Sequence, residues 1–194
     1  MTFTGSKFSS FEAYLTAEPS DLPEGRYEYW DGELREVMPE SSLNDAIANY
    51  LYLLLVQAGI YYRLIRPHSC EVEVVGRPRT RFPDVTVLDD IHLTLMDSNT
   101  RVTRDMPPPR IAIEVVSVGA ETSENYRRDY QEKVTQYAAI GIPEYWLIDP
   151  QREWVMVGTL GSETYNFQTF QGTEAIVSPT FPDLNLTAAQ ILQA

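Results

Sequence analysis

Cysteine occurs once in these 194 residues, as Cys70, so no internal disulfide can form and no zinc site built on thiolates can exist. Nothing near Cys70 in the sequence is built to activate a thiol, and it reads as a small strand residue. Lysine occurs only as Lys7 and Lys133. Positive charge is scarce throughout: 15 basic against 28 acidic side chains give a net charge of −13, which argues against a general polyanion binder. The two histidines, His68 and His92, lack metal-ligand spacing and read as structural. The longest apolar run, near Tyr50 to Val56, is too short to cross a membrane. The N-terminus lacks the basic flank and apolar core of a signal peptide, so a soluble cytoplasmic protein is expected. With 43% hydrophobic and 22% charged residues the chain can bury one good core, and a single domain over 1–194 is expected.

The scarce positive charge is unevenly spread. Residues 63–133 hold 11 of the 15 basic side chains against 12 acidic ones, whereas 1–62 hold 3 against 10 and 134–194 hold 1 against 6. The same middle segment carries two carboxylates inside strand-like runs. Asp84 lies in Phe82-Pro83-Asp84-Val85-Thr86-Val87-Leu88, and Glu114 in Ile111-Ala112-Ile113-Glu114-Val115-Val116. A carboxylate in a buried strand is costly to desolvate and needs a cation, a proton or a donor beside it. Two of them suggest a shared cation.

Ser9-Ser10-Phe11-Glu12 has capping-box spacing and predicts a short helix through Leu15. Tyr27-Glu28-Tyr29-Trp30 and Glu33-Leu34-Arg35-Glu36-Val37 flank Asp31-Gly32, a strong hairpin signal. Ser41 or Ser42 caps a predicted helix from about Asn44 to Gln57, with Ile47, Tyr50, Leu51, Leu54 and Leu55 at helical spacing until Gly59. Strands are predicted at about 61–66, 70–75, 82–88 and 110–117, with a loop over 89–109 that ends in Pro107-Pro108-Pro109. A second long helix is predicted from about Ser123 to Ile140. A strand at Glu144 to Ile148, two or three antiparallel strands and a short helix finish the chain. The order is α+β: a mixed central sheet flanked by helices.

On that second helix, Tyr126, Tyr130, Lys133, Val134 and Tyr137 fall in one arc at 3.6 residues per turn, with Asp129 at its edge. Lys133 is therefore expected to point inward. Its alternative use is to snorkel or to pair with Asp129 at the i, i+4 spacing.

Pro83-Asp84, followed about thirty residues later by Glu114-Val115-Val116, resembles the signature of the PD-(D/E)XK nuclease superfamily, with valine at the usual lysine position. More specifically, Glu114-Val115-Val116-Ser117, then Arg128-Asp129-Tyr130, Lys133, Tyr137, Gly141-Ile142-Pro143-Glu144-Tyr145-Trp146 and Asp149-Pro150 resemble the Uma-two family of restriction endonucleases. The Tyr27–Val37 hairpin and Met38-Pro39-Glu40-Ser41-Ser42 fit as well, so the likeness runs from about Phe8 to Ala194. The resemblance implies a restriction-endonuclease-like fold and hydrolysis of phosphodiester bonds in DNA. It implies Asp84 and Glu114 as metal ligands, Lys133 in place of the lysine missing at Val116, and Glu40 as a further acid near the metal. Two departures stand out: many relatives carry a histidine near the position of Asn44, and a proline commonly follows the serine matching Ser117, where this chain has Val118.

The chemistry suits these residue types. Magnesium, or manganese in its place, takes one or two carboxylates, waters and phosphate oxygens, so two acids and a strand carbonyl such as Val115 suffice. Arg127 and Arg128 are candidate phosphate contacts or else a solvated face, and Arg79 and Arg81, alternating with Arg77, either present cations toward a backbone or edge a surface hairpin. Tyr145-Trp146 reads as core rather than as a stacking platform. A restriction-type enzyme approaching two strands is expected to be a homodimer. The competing classes are a binding or regulatory module that keeps the fold without cleaving, and a metal hydrolase of another kind.

Overall fold

The computed structural model describes residues 3–96 and 99–194. The chain runs β1 (Phe3–Lys7), α1 (Phe11–Leu15), the hairpin β2 (Tyr27–Trp30) and β3 (Glu33–Glu36), then α2 (Ser42–Gln57). Next come the short strands β4 (Ile65–Pro67), β5 (Glu71–Glu73), β6 (Thr80–Arg81) and β7 (Val85–Val87), then α3 (His92–Leu95), β8 (Arg101–Val102) and β9 (Ile111–Val115). The second long helix comprises α4 (Glu124–Arg127), a π-helical turn at Arg128–Glu132 and α5 (Lys133–Ala139). β10 (Glu144–Asp149), β11 (Trp154–Leu160), β12 (Tyr165–Gln171) and α6 (Ala188–Leu192) complete the chain.

The central sheet has the order β12-β11-β10-β9-β7-β4, with β9 and β10 parallel and the remaining neighbours antiparallel. Two three-stranded sheets, β1-β3-β2 and β6-β5-β8, stand beside it. The period-2 alternation of β9 explains how the sheet is covered. Ile111, Ile113 and Val115 join Ile47, Leu51 and Leu55 of α2, and Ala188 and Ile191 of α6, in one core. Ala112 and Val116 face the other way, into a core with Tyr137 of α5, Tyr145, Leu147 and Val72. Trp146 of β10 belongs to the first core, so Tyr145 and Trp146 are both interior residues. Leu51 is fully buried beneath α2, and Leu51→Ala is expected to cost about 2–5 kcal/mol of stability, read from urea unfolding.

Local signals set most boundaries. Ser41 caps α2, its hydroxyl accepting from the Asn44 amide. Asp31 and Gly32 both take positive φ (45° and 96°), as a type I′ hairpin turn requires. At α1 the capping residue is Ser10, bonded to the Ala13 amide, rather than Ser9 with Glu12. The strand expected at 61–66 begins as a 3-10 turn, Tyr62–Leu64, and pairs only over Ile65–Pro67. The loop expected over 89–109 contains α3 and β8; its Asp97 and Ser98 lie outside the described residues. His92 anchors that stretch, fully buried, with Nε2 2.8 Å from the Pro107 carbonyl.

The expected inward arc is altered by the π-helical turn. One extra residue per turn rotates the helix beyond it, so the buried side chains are Asp129, Lys133, Gln136 and Tyr137, while Tyr126 and Tyr130 are only half-buried. Asp129 thereby moves from the edge of the arc to its centre.

Candidate active site

Register alone brings the two acids together. β7 pairs with β9 through Val85↔Ile113, and β4 pairs with β7 through Pro67↔Val85. Carried one step further, the next rung reads His68, Asp84, Glu114 across three strands. The His68 amide donates to the Asp84 carbonyl at 2.9 Å, holding that rung. Beyond it the regular ladder stops, because the Asp84 side chain takes the place of a strand carbonyl: its Oδ2 accepts from the Val115 amide at 2.7 Å.

Each carboxylate is then fixed by named donors. Glu114 is 1% exposed; Lys133 Nζ donates to its Oε2 at 2.7 Å and the Tyr137 hydroxyl to its Oε1 at 2.7 Å. Lys133 Nζ also lies 2.8 Å from Asp129 Oδ1, so both uses foreseen for this lysine, inward and paired at i, i+4, are realised together. Arg128 also grips Asp129, donating to the same Oδ1 at 3.0 Å and to Oδ2 at 3.3 Å. The Val115 carbonyl accepts from Asn44 Nδ2 at 3.0 Å, which orients it at the start of α2.

These contacts leave a charge imbalance. Lys133 is shared by two carboxylates; Asp129, with Arg128 as well, ionises more readily than usual despite its burial. Glu114 receives the weaker share, and burial, with the charges of Asp84 and Asp129, pushes its pKa up to about 7 in spite of Lys133. Lys133 is held protonated well above its ordinary value by Asp129 and Glu114, against its burial. Glu40, at the approach to α2, is raised by burial and then by the Asp84 charge. His68 is raised by Asp84 against the lowering effect of burial; at 3.6 Å between Nδ1 and Oδ1 this is charge attraction rather than a formed hydrogen bond.

Such shifts make stability depend on pH. Glu114 has a folded-state pKa above its ordinary 4.5, so the folded chain binds more protons than the unfolded one between those values. Glu40 and His68 are shifted the same way. With chelator present, stability is expected to fall as pH rises from about 4.5 through about 7, and Glu114→Gln is expected to flatten that fall in urea-unfolding midpoints.

The site opens into a cleft of about 580 Å³ lined by Glu40, Asp84, Val115 and Lys133 on its floor and by Trp30, Arg35, Arg127 and Arg128 among its walls. Glu114 lies beneath Lys133. Among the described residues no three acidic, histidine or cysteine side chains already converge as a ligand cluster. The donor chemistry nevertheless fits a hard divalent cation: carboxylate oxygens, a backbone carbonyl, and acids that repel one another for want of positive charge.

The four arginines expected at nucleic acid fall into two groups. Arg127 is exposed on the cleft wall and pairs with Glu132 at 3.1 Å, and Arg128 lines the same wall while holding Asp129. Arg81 is 1% exposed and bonded to Gln136, Glu28 and Glu132, which ties the β2–β3 hairpin to the second long helix. Arg79 stacks on Phe11 and pairs with Glu73, away from the cleft. Arg77 pairs with Asp31. Residues 77–81 therefore present no common cationic face.

His68, read from its spacing as structural, stands beside Asp84. Its side chain is 16% exposed, between Asp84 and Asp45, and its backbone is left-handed at φ 49°. The signal available was the strand pairing: a hairpin-like register sets residue 68 opposite 84, whatever their separation along the chain.

Comparison with known proteins places this architecture. The chain is similar to a protein described as a "putative nuclease belonging to DUF820" from Anabaena variabilis ATCC 29413, with a TM-score of 0.65 at 16% identity, covering 94% of this chain and 96% of that one. That likeness is one of fold. No curated protein matches. The family model Uma2, described as "Putative restriction endonuclease", matches residues 11–189. With nearly its whole length matched, the chain belongs to the Uma2 family.

Proposed function

We propose that this chain is a divalent-metal-dependent nuclease that hydrolyses phosphodiester bonds in DNA. One observation carries the reading: carried one residue past Val85, the β7–β9 register sets Asp84, which lines a cleft, opposite the buried Glu114, with the Lys133 amine of the cleft on Glu114. Asp84, Glu114 and the Val115 carbonyl would hold the ion, with Glu40 beside them. A bound divalent ion supplies acidified water and neutralises charge at phosphorus. The protein's part is positioning and electrostatics. The Val115 amide fixes Asp84 and the Tyr137 hydroxyl fixes Glu114. Lys133, held charged by Asp129, offers a cation to the negative charge that develops on the phosphoryl oxygens. Arg127 and Arg128 on the cleft wall are suited to phosphate contact.

The test is strand cleavage of supercoiled and linear DNA with magnesium or manganese added. Cleavage with either ion and none with excess chelator is the expected result. A folded protein inert with every divalent ion would favour the second reading, a non-cleaving module of the same fold. One observation speaks for that reading: both Glu114 oxygens already have protein donors. Binding to duplex DNA is expected to weaken steeply with salt despite the net charge of −13, because the contacts fall to local arginines. Salt-independent binding would remove that claim. One site per chain facing two strands makes a homodimer the expected form, and monomer alone by light scattering would exclude it. Among the described residues no helix is long and apolar enough to cross a membrane.

A further inference from the structure

His68 is the least explained polar group at the site. Neither ring nitrogen makes a hydrogen bond, although both are sealed from solvent. Nδ1 lies 3.6 Å from Asp84 Oδ1 and Nε2 lies 3.4 Å from Asp45 Oδ1. A buried imidazole with two unsatisfied nitrogens is costly, and residues held in left-handed backbone without being glycine add to that cost. Something outside the protein chain is expected to complete the arrangement.

The geometry has the form of a metal-ligand pair. Two donors each about 2.1 Å from one ion stand about 3.4 Å apart at a tetrahedral centre and about 3.0 Å apart at an octahedral one, so the 3.6 Å Nδ1–Oδ1 gap, too wide for a hydrogen bond, needs only a small closure to share an ion. A ligating histidine also characteristically turns its other nitrogen to a carboxylate, which sets the tautomer and the ring angle. Asp45, from the first turn of α2 and 57% exposed, stands where that outer carboxylate is needed. Asp84 Oδ2 is engaged by the Val115 amide, which leaves Oδ1, the atom facing His68, for an ion.

We infer that His68 is a ligand of the cation held by Asp84, so that the site takes a first-row transition ion in preference to magnesium. This rests on the proposed metal site and deepens it. Magnesium favours an all-oxygen shell, whereas imidazole nitrogen suits the transition ions.

Manganese(II) is the probe. Metal-free full-length protein is titrated calorimetrically with manganese and with magnesium, and the manganese complex is examined by electron spin-echo modulation for coupled nitrogen-14. The variants are His68→Asn, since asparagine tolerates the left-handed backbone, and Asp84→Asn, each first matched to wild type in circular dichroism. Wild type should show nitrogen modulation that His68→Asn lacks. Manganese affinity should fall by about tenfold or more in His68→Asn, and magnesium affinity by less than about threefold. Manganese bound in an Asp84-dependent way but without nitrogen modulation, or with undiminished affinity in His68→Asn, would overturn the His68 assignment while leaving the metal site standing. Equal manganese affinity in wild type and Asp84→Asn would overturn both.

Discussion

Asp84→Asn is expected to lower DNA cleavage by about two to three orders of magnitude or more while leaving the fold intact. Asparagine keeps the shape and an oxygen for the Val115 amide, so the bond that closes the β7–β9 ladder can persist. The anionic oxygen turned toward His68 disappears. Stability should separate this role from a structural one. In chelator the Asp84 charge opposes ionisation of Glu114 and Glu40 while favouring the charged forms of His68 and Lys133, so its removal trades one effect against the other. The variant should therefore lie close to wild type in urea unfolding near neutral pH. A structural carboxylate would show the reverse: lost stability with activity scaling to the folded fraction. If cleavage survives at the wild-type rate, the metal is held elsewhere.

Asp84 and Glu114 were legible in the sequence because each interrupts a run of residues that otherwise bury apolar side chains. Strand length and the antiparallel register then brought them to one rung with no further information. His68 was not legible. Its strand is three residues long and begins in a 3-10 turn, so its end cannot be placed from periodicity. Its partners, Asp45 and Asp84, are neighbours only through pairing and through the entry of α2. The second helix was found in place, but its inward face only in part, at Lys133 and Tyr137, because a π-helical turn has no period that side-chain spacing announces; Asp129, expected at the edge, became a partner of Lys133 alongside Glu114. Arginines at 77, 79 and 81 read as a stripe, yet each turned to a different acid: Asp31, Glu73, and Glu28 with Glu132. In a chain with 28 carboxylates, local ion pairing decides where an arginine points before any distant ligand does. The elements missed in 89–109 are a four-residue helix and a two-residue strand, below the length at which a pattern can be recognised.

Lys133→Met should lower cleavage by about two to four orders of magnitude under conditions where the chemical step limits, with metal affinity largely kept. Methionine keeps most of the length and the apolar stem and removes the charge together with its N–H donors. Breaking a buried pair from one side costs about 3–5 kcal/mol when the orphaned charge stays ionised. Here Arg128 still serves Asp129, and Glu114, with its pKa already near 7, can take up a proton instead. The variant should consequently fold, and lose stability as pH rises through a Glu114 pKa that loss of the lysine lifts further. Val116 lies on the same face of β9 as Glu114, two residues on, against Tyr137. Adding Val116→Lys to Lys133→Met should bring an amine back to Glu114 and restore part of the rate, at a stability cost of about 1–3 kcal/mol for a longer, charged side chain where valine packs. Urea unfolding of both variants fixes the folded fraction before rates are compared. A Lys133→Met protein that cleaves at the wild-type rate would reduce this lysine to a partner of Asp129 and Glu114. Full loss in both variants, with folding intact, would mean that the position of the amine on the second helix matters as well as its charge.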